Sequence, residues 1–251
     1  MPFPFLYLDT SFYFLSGIVA FLVSFYAFRY TRLIENSALR FLSIGFTVLG
    51  VGLLAEAFID TLSFFIPSTS SYLLLHRLII REAAATYSFL QVLAYFVILM
   101  GYLLSRRGPA SAASSNGSMN RPPTIGFLAS ATSVVLASRL GELGVLIALA
   151  REIIIISSAL SMAFLVAIIY LDSTGYLKHR NKQAILVLVG FVLILASQAI
   201  SFSLGIVAAR ALGFSEILDF IGTAVQFAAF LSLLLFLIWR GKIGSTGKSS
   251  Q

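Results

Sequence analysis

Seven apolar blocks, each long enough to cross a membrane, constrain the fold of this chain more than any other feature. At about 20 residues for a hydrocarbon core of about 30 Å, they cover roughly residues 10–30, 39–64, 82–105, 124–143, 150–173, 183–207 and 216–239. Only 11% of the residues are charged, against roughly a quarter in soluble proteins. Because a chain in lipid must satisfy its own backbone hydrogen bonds, we predict an all-α, polytopic membrane protein with seven transmembrane helices.

The basic residues predict which side of the membrane each loop faces. With the N-terminus outside, twelve of the 17 Lys and Arg residues fall in inner segments, as the positive-inside rule requires. We therefore expect the N-terminus outside, the C-terminus inside, and a multi-pass protein of the cell membrane. The net charge of +7 is then mostly a cytoplasmic collar that attracts anionic membrane lipids, and we predict no direct binding of nucleic acid.

Short matches between the two ends of the chain indicate an internal repeat. The segment 20–23 recurs at 163–166, Glu56 aligns with Gln198, and Gln91 aligns with Gln226, at offsets of 143, 142 and 135 residues. This spacing predicts two parallel three-helix repeats joined by one linker helix, a 3+1+3 plan within a single membrane domain, 1–251. The predicted parts are a first repeat (10–105), a flexible cytoplasmic linker (105–124), a linker helix (124–143), a second repeat (150–239) and a short basic tail (240–251).

The repeat brings four polar side chains to a similar depth in the membrane. Glu56, Gln91, Gln198 and Gln226 each lie eight or nine residues below the outer helix ends, which is about 12–14 Å at 1.5 Å per residue. An acid at such depth is costly and should face the bundle interior. We take these four residues and Tyr95 as candidate ligand-binding residues. Hydrogen bonding between helices, without any ligand, is the alternative for the same side chains.

The third predicted helix carries a polar and aromatic stripe on one face. Tyr87, Gln91, Tyr95 and Tyr102 are spaced by four, four and seven residues, so they share that face. The stripe is compatible with a ligand cavity and with ordinary aromatic packing.

Several kinds of chemistry can be argued against from residue types. The chain has no cysteine, which excludes thiolate metal sites and cysteine nucleophiles. Its two histidines, His76 and His179, are expected on opposite sides of the membrane, so they cannot jointly ligate a haem within it. We find no zinc spacing and no catalytic constellation. The sequence therefore predicts no metal, no cofactor and no catalytic residue, and it favours a non-enzymatic role.

Two short motifs resemble a family of membrane sensors. Leu54-Ala55-Glu56-Ala57 in the second helix and Phe89-Leu90-Gln91-Val92 in the third look similar to motifs of the seven-helix input domains at the N-termini of some prokaryotic sensor kinases. The 3+1+3 plan is also similar to the general plan of opsins, although 216–239 has no lysine that could link retinal. The chain departs from the sensor kinases beyond residue 240, where only the basic tail follows.

The resemblance implies a sensor or receptor-like module. Such a module would bind a small or lipophilic ligand and signal to a separate cytoplasmic or membrane protein partner through basic loops. Two alternatives stay open. One is a small-solute transporter that uses the repeat interface, and the other is a non-catalytic integral subunit of a larger envelope complex, such as a respiratory, secretion or DNA-import machine.

Overall fold

The computed structural model describes residues 4–34, 37–63, 73–106, 143–179, 182–207 and 212–246, and each range is one α-helix. In chain order they are α1 (Pro4–Ile34), α2 (Ser37–Ser63), α3 (Leu73–Arg106), α4 (Leu143–His179), α5 (Lys182–Val207) and α6 (Leu212–Thr246). The described part of the chain contains no strand. The prediction of an all-α fold is confirmed for these residues.

Each described helix is long and apolar enough to cross a membrane. The apolar spans are Thr10–Thr31, Ala38–Leu62, Ala83–Ser105, Glu152–Thr174, Ile185–Ser203 and Phe220–Trp239. They agree with six of the seven predicted blocks. The predicted linker helix (124–143) lies outside the described residues except for its last residue, and so does nearly all of the predicted linker (105–124).

Within the described residues, the helices form a closed ring in chain order. Each helix packs against its neighbours in the sequence, and α6 closes the ring against α1, where Phe12 meets the rings of Phe220 and Phe227 edge-on. No other pair among these six helices packs backbone against backbone. Side chains therefore bridge the centre, as Phe46 of α2 does when it meets Phe230 of α6 at 5.5 Å between ring centroids.

The helix directions can be read from pairs of contacts. Along α3 and α4, Phe96 contacts Phe164 and, further on, Tyr102 donates a hydrogen bond to Asp172, so these two helices run parallel. Three other consecutive pairs meet in opposite order and are antiparallel. The contacts are Gly17–Leu54 and Ser24–Ser43 for α1 and α2, Gly45–Ile98 and Gly52–Tyr87 for α2 and α3, and Gly190–Leu233 and Gly222–Ile200 for α5 and α6.

Apolar side chains cover both the inside and the outside of the ring. Fully buried residues such as Leu49 and Ile98 face other helices, whereas Phe58 and Ile156 are each 63% exposed. Exposed apolar surface on this scale is typical of helices surrounded by lipid. Because lipid tails are as apolar as leucine, close packing and hydrogen bonds, rather than burial from water, hold such helices together.

The seam between α1 and α2 shows both of these forces. Ser24 donates a hydrogen bond to the carbonyl oxygen of Ser43 at 2.9 Å, and its hydroxyl lies 2.7 Å from the hydroxyl of Thr47. About two turns away, Gly17 leaves room for Leu54, whose side chain would lie within 2.7 Å of a Cβ at that position. Small residues at helix interfaces allow this close approach in membranes.

Candidate ligand site

A layer of buried and half-buried polar side chains crosses the ring, within the N-terminal halves of the apolar spans of α1, α3, α4 and α6. Ser16 lies one turn beyond Tyr13, whose ring contacts Tyr87. Ser161 lies one turn before Phe164, which contacts α3 at Phe96. Such contacts between helices show which positions on different helices lie at the same depth. We call it the polar layer, and it consists of Ser16, Glu56, Tyr87, Gln91, Ser161, Gln198 and Gln226, with at least one residue from every described helix.

The Tyr87 hydroxyl is the centre of the polar layer. It accepts a hydrogen bond from Nε2 of Gln91 at 2.6 Å, one turn along α3, and another from Nε2 of Gln226 at 2.9 Å, on α6. All three side chains are buried. Since α3 and α6 do not pack directly against each other, this second bond crosses the middle of the ring. A phenol oxygen that accepts two bonds still has its own O–H to donate.

Glu56 lies within electrostatic range of this hydroxyl. Its carboxylate interacts electrostatically with Tyr87, and its Oε2 atom is enclosed by protein although the residue as a whole is half-buried. One enclosed carboxylate oxygen is what the sequence prediction of a bundle-facing acid requires. A carboxylate in this setting is a strong acceptor for hydrogen-bond donors.

Gln198 and Tyr95, the other two candidate residues, are both buried, but Tyr95 lies two turns beyond Tyr87 on α3, next to Ala94, whose carbonyl oxygen faces Gly45 of α2. Gln198 follows Ser197, whose hydroxyl donates to the carbonyl oxygen of Gly222, one turn before Gln226. The hydrogen bonds at the Tyr87 hydroxyl do not include Gln198. Tyr95 is fully buried, and its hydroxyl has no hydrogen-bond partner among the described residues.

An apolar layer closes the ring beneath the polar one. It is formed by side chains that are at most 2% exposed, namely Phe46, Ile98, Leu165, Phe191, Phe230 and Leu233. The edge-to-face contact of Phe46 with Phe230 spans the ring here, at a geometry favoured by aromatic pairs. Among the described residues, the polar layer therefore lies directly above a layer of buried apolar side chains.

A second polar pair lies on the other side of the apolar layer, near the C-terminal ends of α3 and α4. Tyr102 donates a hydrogen bond to Asp172, and the Oδ2 atom of that carboxylate is buried with no hydrogen-bond partner among the described residues. The ring of Tyr102 also contacts Phe191 of α5. The stripe predicted on α3 therefore has polar links at both ends, to α6 through Tyr87 and to α4 through Tyr102.

Sequence reasoning placed Tyr87 on the stripe but did not predict its role as the shared acceptor. Its position one turn before Gln91 was the available signal, because residues four apart meet on one helix face. The buried hydroxyls of Ser16 and Ser161 gave no comparable signal, since serine is common in membrane helices. Within the described residues, no group of three or more His, Cys, Asp or Glu side chains could hold a metal ion.

Comparisons with protein-family models, with curated proteins and with solved structures find no match to this chain.

Proposed function

We propose that this protein is a membrane-embedded sensor or receptor-like module that binds a small ligand in the polar layer. The observation that carries the proposal is the Tyr87 hydroxyl, which joins the first half of the chain to the second through Gln91 and Gln226. A ligand that competes for these bonds changes the contact between α3 and α6. The change would pass along α3 to Tyr102 and Asp172, and from there to a separate partner at the basic loops.

We further propose a seven-helix, 3+1+3 architecture in the cell membrane. Its support is the parallel course of α3 and α4. Two parallel spanning helices that follow each other in the chain require a return crossing between them. The apolar block predicted at 124–143 supplies the residues for it.

The internal repeat also has structural support, at a revised register. An offset of 145 residues places the last residue of α1, Ile34, on the last residue of α4, His179. The same offset places the first residue of α2, Ser37, on the first residue of α5, Lys182. The same displacement pairs Gly45 with Gly190, and 135 pairs Ile98 with Leu233, so the close contact Gly45–Ile98 recurs as Gly190–Leu233.

The offsets of 143 and 142 residues between the repeats, taken from the sequence matches, agree less well with the burial pattern. At 143, buried Ala20 would correspond to exposed Ala163, whereas 145 pairs exposed Ile18 with Ala163. The revised register also changes the counterpart of Glu56 from Gln198 to Ser201. The register for α3 and α6 stays at 135, because Gln91 and Gln226 are both buried and reach the same hydroxyl.

The return crossing predicts that the end of α3 and the start of α4 lie on opposite sides of the membrane. The natural absence of cysteine makes this simple to test with Ser105→Cys and Val145→Cys, each as the sole thiol. We expect a membrane-impermeant maleimide to label the two from opposite faces of oriented vesicles. Labelling of both from the same face would contradict the seventh crossing.

Glu56→Gln should weaken ligand binding. Hydrogen bonds to charged groups are worth about 1.5–3 kcal/mol, so we expect affinity to fall about tenfold or more. The measurement is a thermal-shift titration of purified protein in lipid nanodiscs, with compounds selected because they stabilise the wild type. Glu152→Gln, at an exposed position on α4, is the matched control and should bind as the wild type does. Equal affinity in both variants would remove Glu56 from the site.

Transport is a second candidate, favoured by the parallel repeat. Many transporters consist of two repeats that rock about a site at their interface, and the polar layer takes residues from both halves. Solute counterflow in proteoliposomes tests this candidate. Ligand binding without counterflow would favour the sensor.

A further inference from the structure

The polar layer contains two buried hydroxyls that the Tyr87 hydrogen bonds leave unused. Ser16 on α1 and Ser161 on α4 are each fully buried, and neither hydroxyl has a hydrogen-bond partner among the described residues. Buried hydroxyls without partners are rare in native proteins, and each calls for an explanation such as a water or a ligand. A serine in a helix can usually bond to the carbonyl one turn back, which makes two such cases in one layer unusual.

The two serines hold equivalent places in the two halves. Under the 145-residue displacement, Ser161 is the counterpart of Ser16, on a helix that α1 maps onto. The buried and exposed neighbours also match, since Leu15 and Leu160 are both exposed and Val23 and Ile168 are both buried. Under the proposed repeat, the two buried hydroxyls without partners therefore occupy equivalent positions in the two halves.

The enclosure of these hydroxyls gives no room for water in the closed ring. Their oxygen atoms have essentially no accessible surface, so in this state they lose their hydrogen bonds to solvent, which costs free energy. Hydration would recover that cost if the two halves separated slightly. The apolar layer beneath, where Phe46 meets Phe230, would remain closed.

We infer that the ring opens at the polar layer to admit a small uncharged solute that forms hydrogen bonds, of which water is the smallest. Hydroxyl and amide groups from both halves supply donors and acceptors on all sides, whereas the apolar layer offers none. This inference deepens the proposed function and rests on it for the location of the site. It names the ligand class and the two residues, Ser16 and Ser161, that first become hydrated.

The test uses single cysteines in the protein, which has none of its own. Ser16→Cys and Ser161→Cys change one atom each and keep the packing volume nearly constant. A small uncharged reagent, 2-hydroxyethyl methanethiosulfonate, reacts with the thiolate, which forms only where water reaches. Ala20→Cys, one turn further along α1 and fully buried, is the matched control, and Ser105→Cys, exposed at the end of α3, shows that the reagent works.

We expect the cysteines at positions 16 and 161 to react at least about tenfold faster than the one at position 20, because thiolate reactivity follows access to water. Molar glycerol or urea should slow both reactions by occupying the layer, and choline chloride at the same osmolarity should not. Reaction at 105 without reaction at 16 and 161 would overturn the inference. Equal rates at 16, 161 and 20 would overturn it too, since they would indicate general loosening.

The outcomes for the solute site and for the proposed function are separable. Labelling at 16 and 161 needs no ligand from the compound screen, so it stands if no stabilising compound is found. If Glu56→Gln abolishes binding but the two cysteines stay unreactive, the sensor proposal stands and the opening is wrong. If one of the two cysteine variants fails to fold, the serine at that position is replaced by alanine instead. The remaining cysteine is then labelled in this background and compared with Ala20→Cys as before.

Discussion

Gly101→Ala is expected to lower the free energy of unfolding by about 2 kcal/mol or more, because overpacked cores typically lose about 1–3 kcal/mol. A Cβ at this position on α3 would overlap the Cβ of Phe41 on α2. That atom is fixed to the backbone and cannot rotate away, so the two helices must separate. The gain in helix propensity on replacing glycine, about 1 kcal/mol, offsets only part of this cost.

Gly222→Ala is the matched control for this substitution. It lies in a buried part of α6, and the nearest atoms to an added Cβ are the Ser201 hydroxyl oxygen at 3.4 Å and Cγ2 of Ile200 at 3.5 Å. These are ordinary contacts, so we expect stability to be unchanged or raised by about 0.5–1 kcal/mol. Equilibrium unfolding in mixed micelles with increasing SDS measures both variants. Equal stabilities would show that the α2–α3 seam is less tightly packed than described.

Tyr87→Phe should both destabilise the ring and abolish its response to ligand. The substitution removes one oxygen and leaves two buried amide groups, on Gln91 and Gln226, without their acceptor. A hydrogen bond between membrane helices averages only about 0.6 kcal/mol, but a buried donor left unpaired costs about 1–3 kcal/mol. The second effect dominates, so we expect a loss of about 1–3 kcal/mol.

Tyr95→Phe is the control for the loss of a phenol oxygen from the same helix face. Its hydroxyl is buried and has no partner among the described residues, so its removal should leave stability unchanged or slightly increased. The unchanged offset of 135 residues between α3 and α6 strengthens this expectation, because the counterpart of Tyr95 is Phe230. A loss of stability as large as that of Tyr87→Phe would indicate that aromatic packing, and not the hydrogen bonds, carries the effect.

A double-mutant cycle separates the bond across the ring from the bond within α3. Tyr87→Phe and Gln226→Leu are combined, and the interaction energy is taken from the two single variants and the double variant. Residues in one hydrogen-bond network usually couple by about 0.5–3 kcal/mol. A value near zero would mean that Tyr87 and Gln226 are neighbours that do not depend on each other, and the proposed link between the halves would then be lost.

The polar residues were largely predictable from the sequence, but their connections were not. Apolar blocks and the cost of burying an acid in lipid were enough to place Glu56, Gln91, Gln198 and Gln226 inside the bundle. Side-chain periodicity indicates the face on which a residue lies but not its partner on another helix. The sharing of one hydroxyl by Gln91 and Gln226 depends on how far apart α3 and α6 lie, and no local pattern encodes that distance.

The internal repeat likewise could be predicted from the sequence only in outline, because its exact register was not. Short matches of common residues aligned the first two helix pairs two or three residues away from the register that burial and close contacts favour. In an apolar helix many residues are interchangeable, so identity over four positions carries little information about register. Glycine contacts carry more, because a missing side chain fixes where two helices touch, as at Gly45 and Ile98.

The sequence by itself determined that the described segments are membrane-length helices and that their few polar residues face inward. The reason is that lipid offers no hydrogen bonds to the backbone and makes an exposed charge costly. Only the tertiary structure decided that the helices close into a ring in chain order and that α3 runs parallel to α4. It also decided that Tyr87 joins the two halves. These features depend on packing between segments far apart in the chain, where shape and distance select the partners.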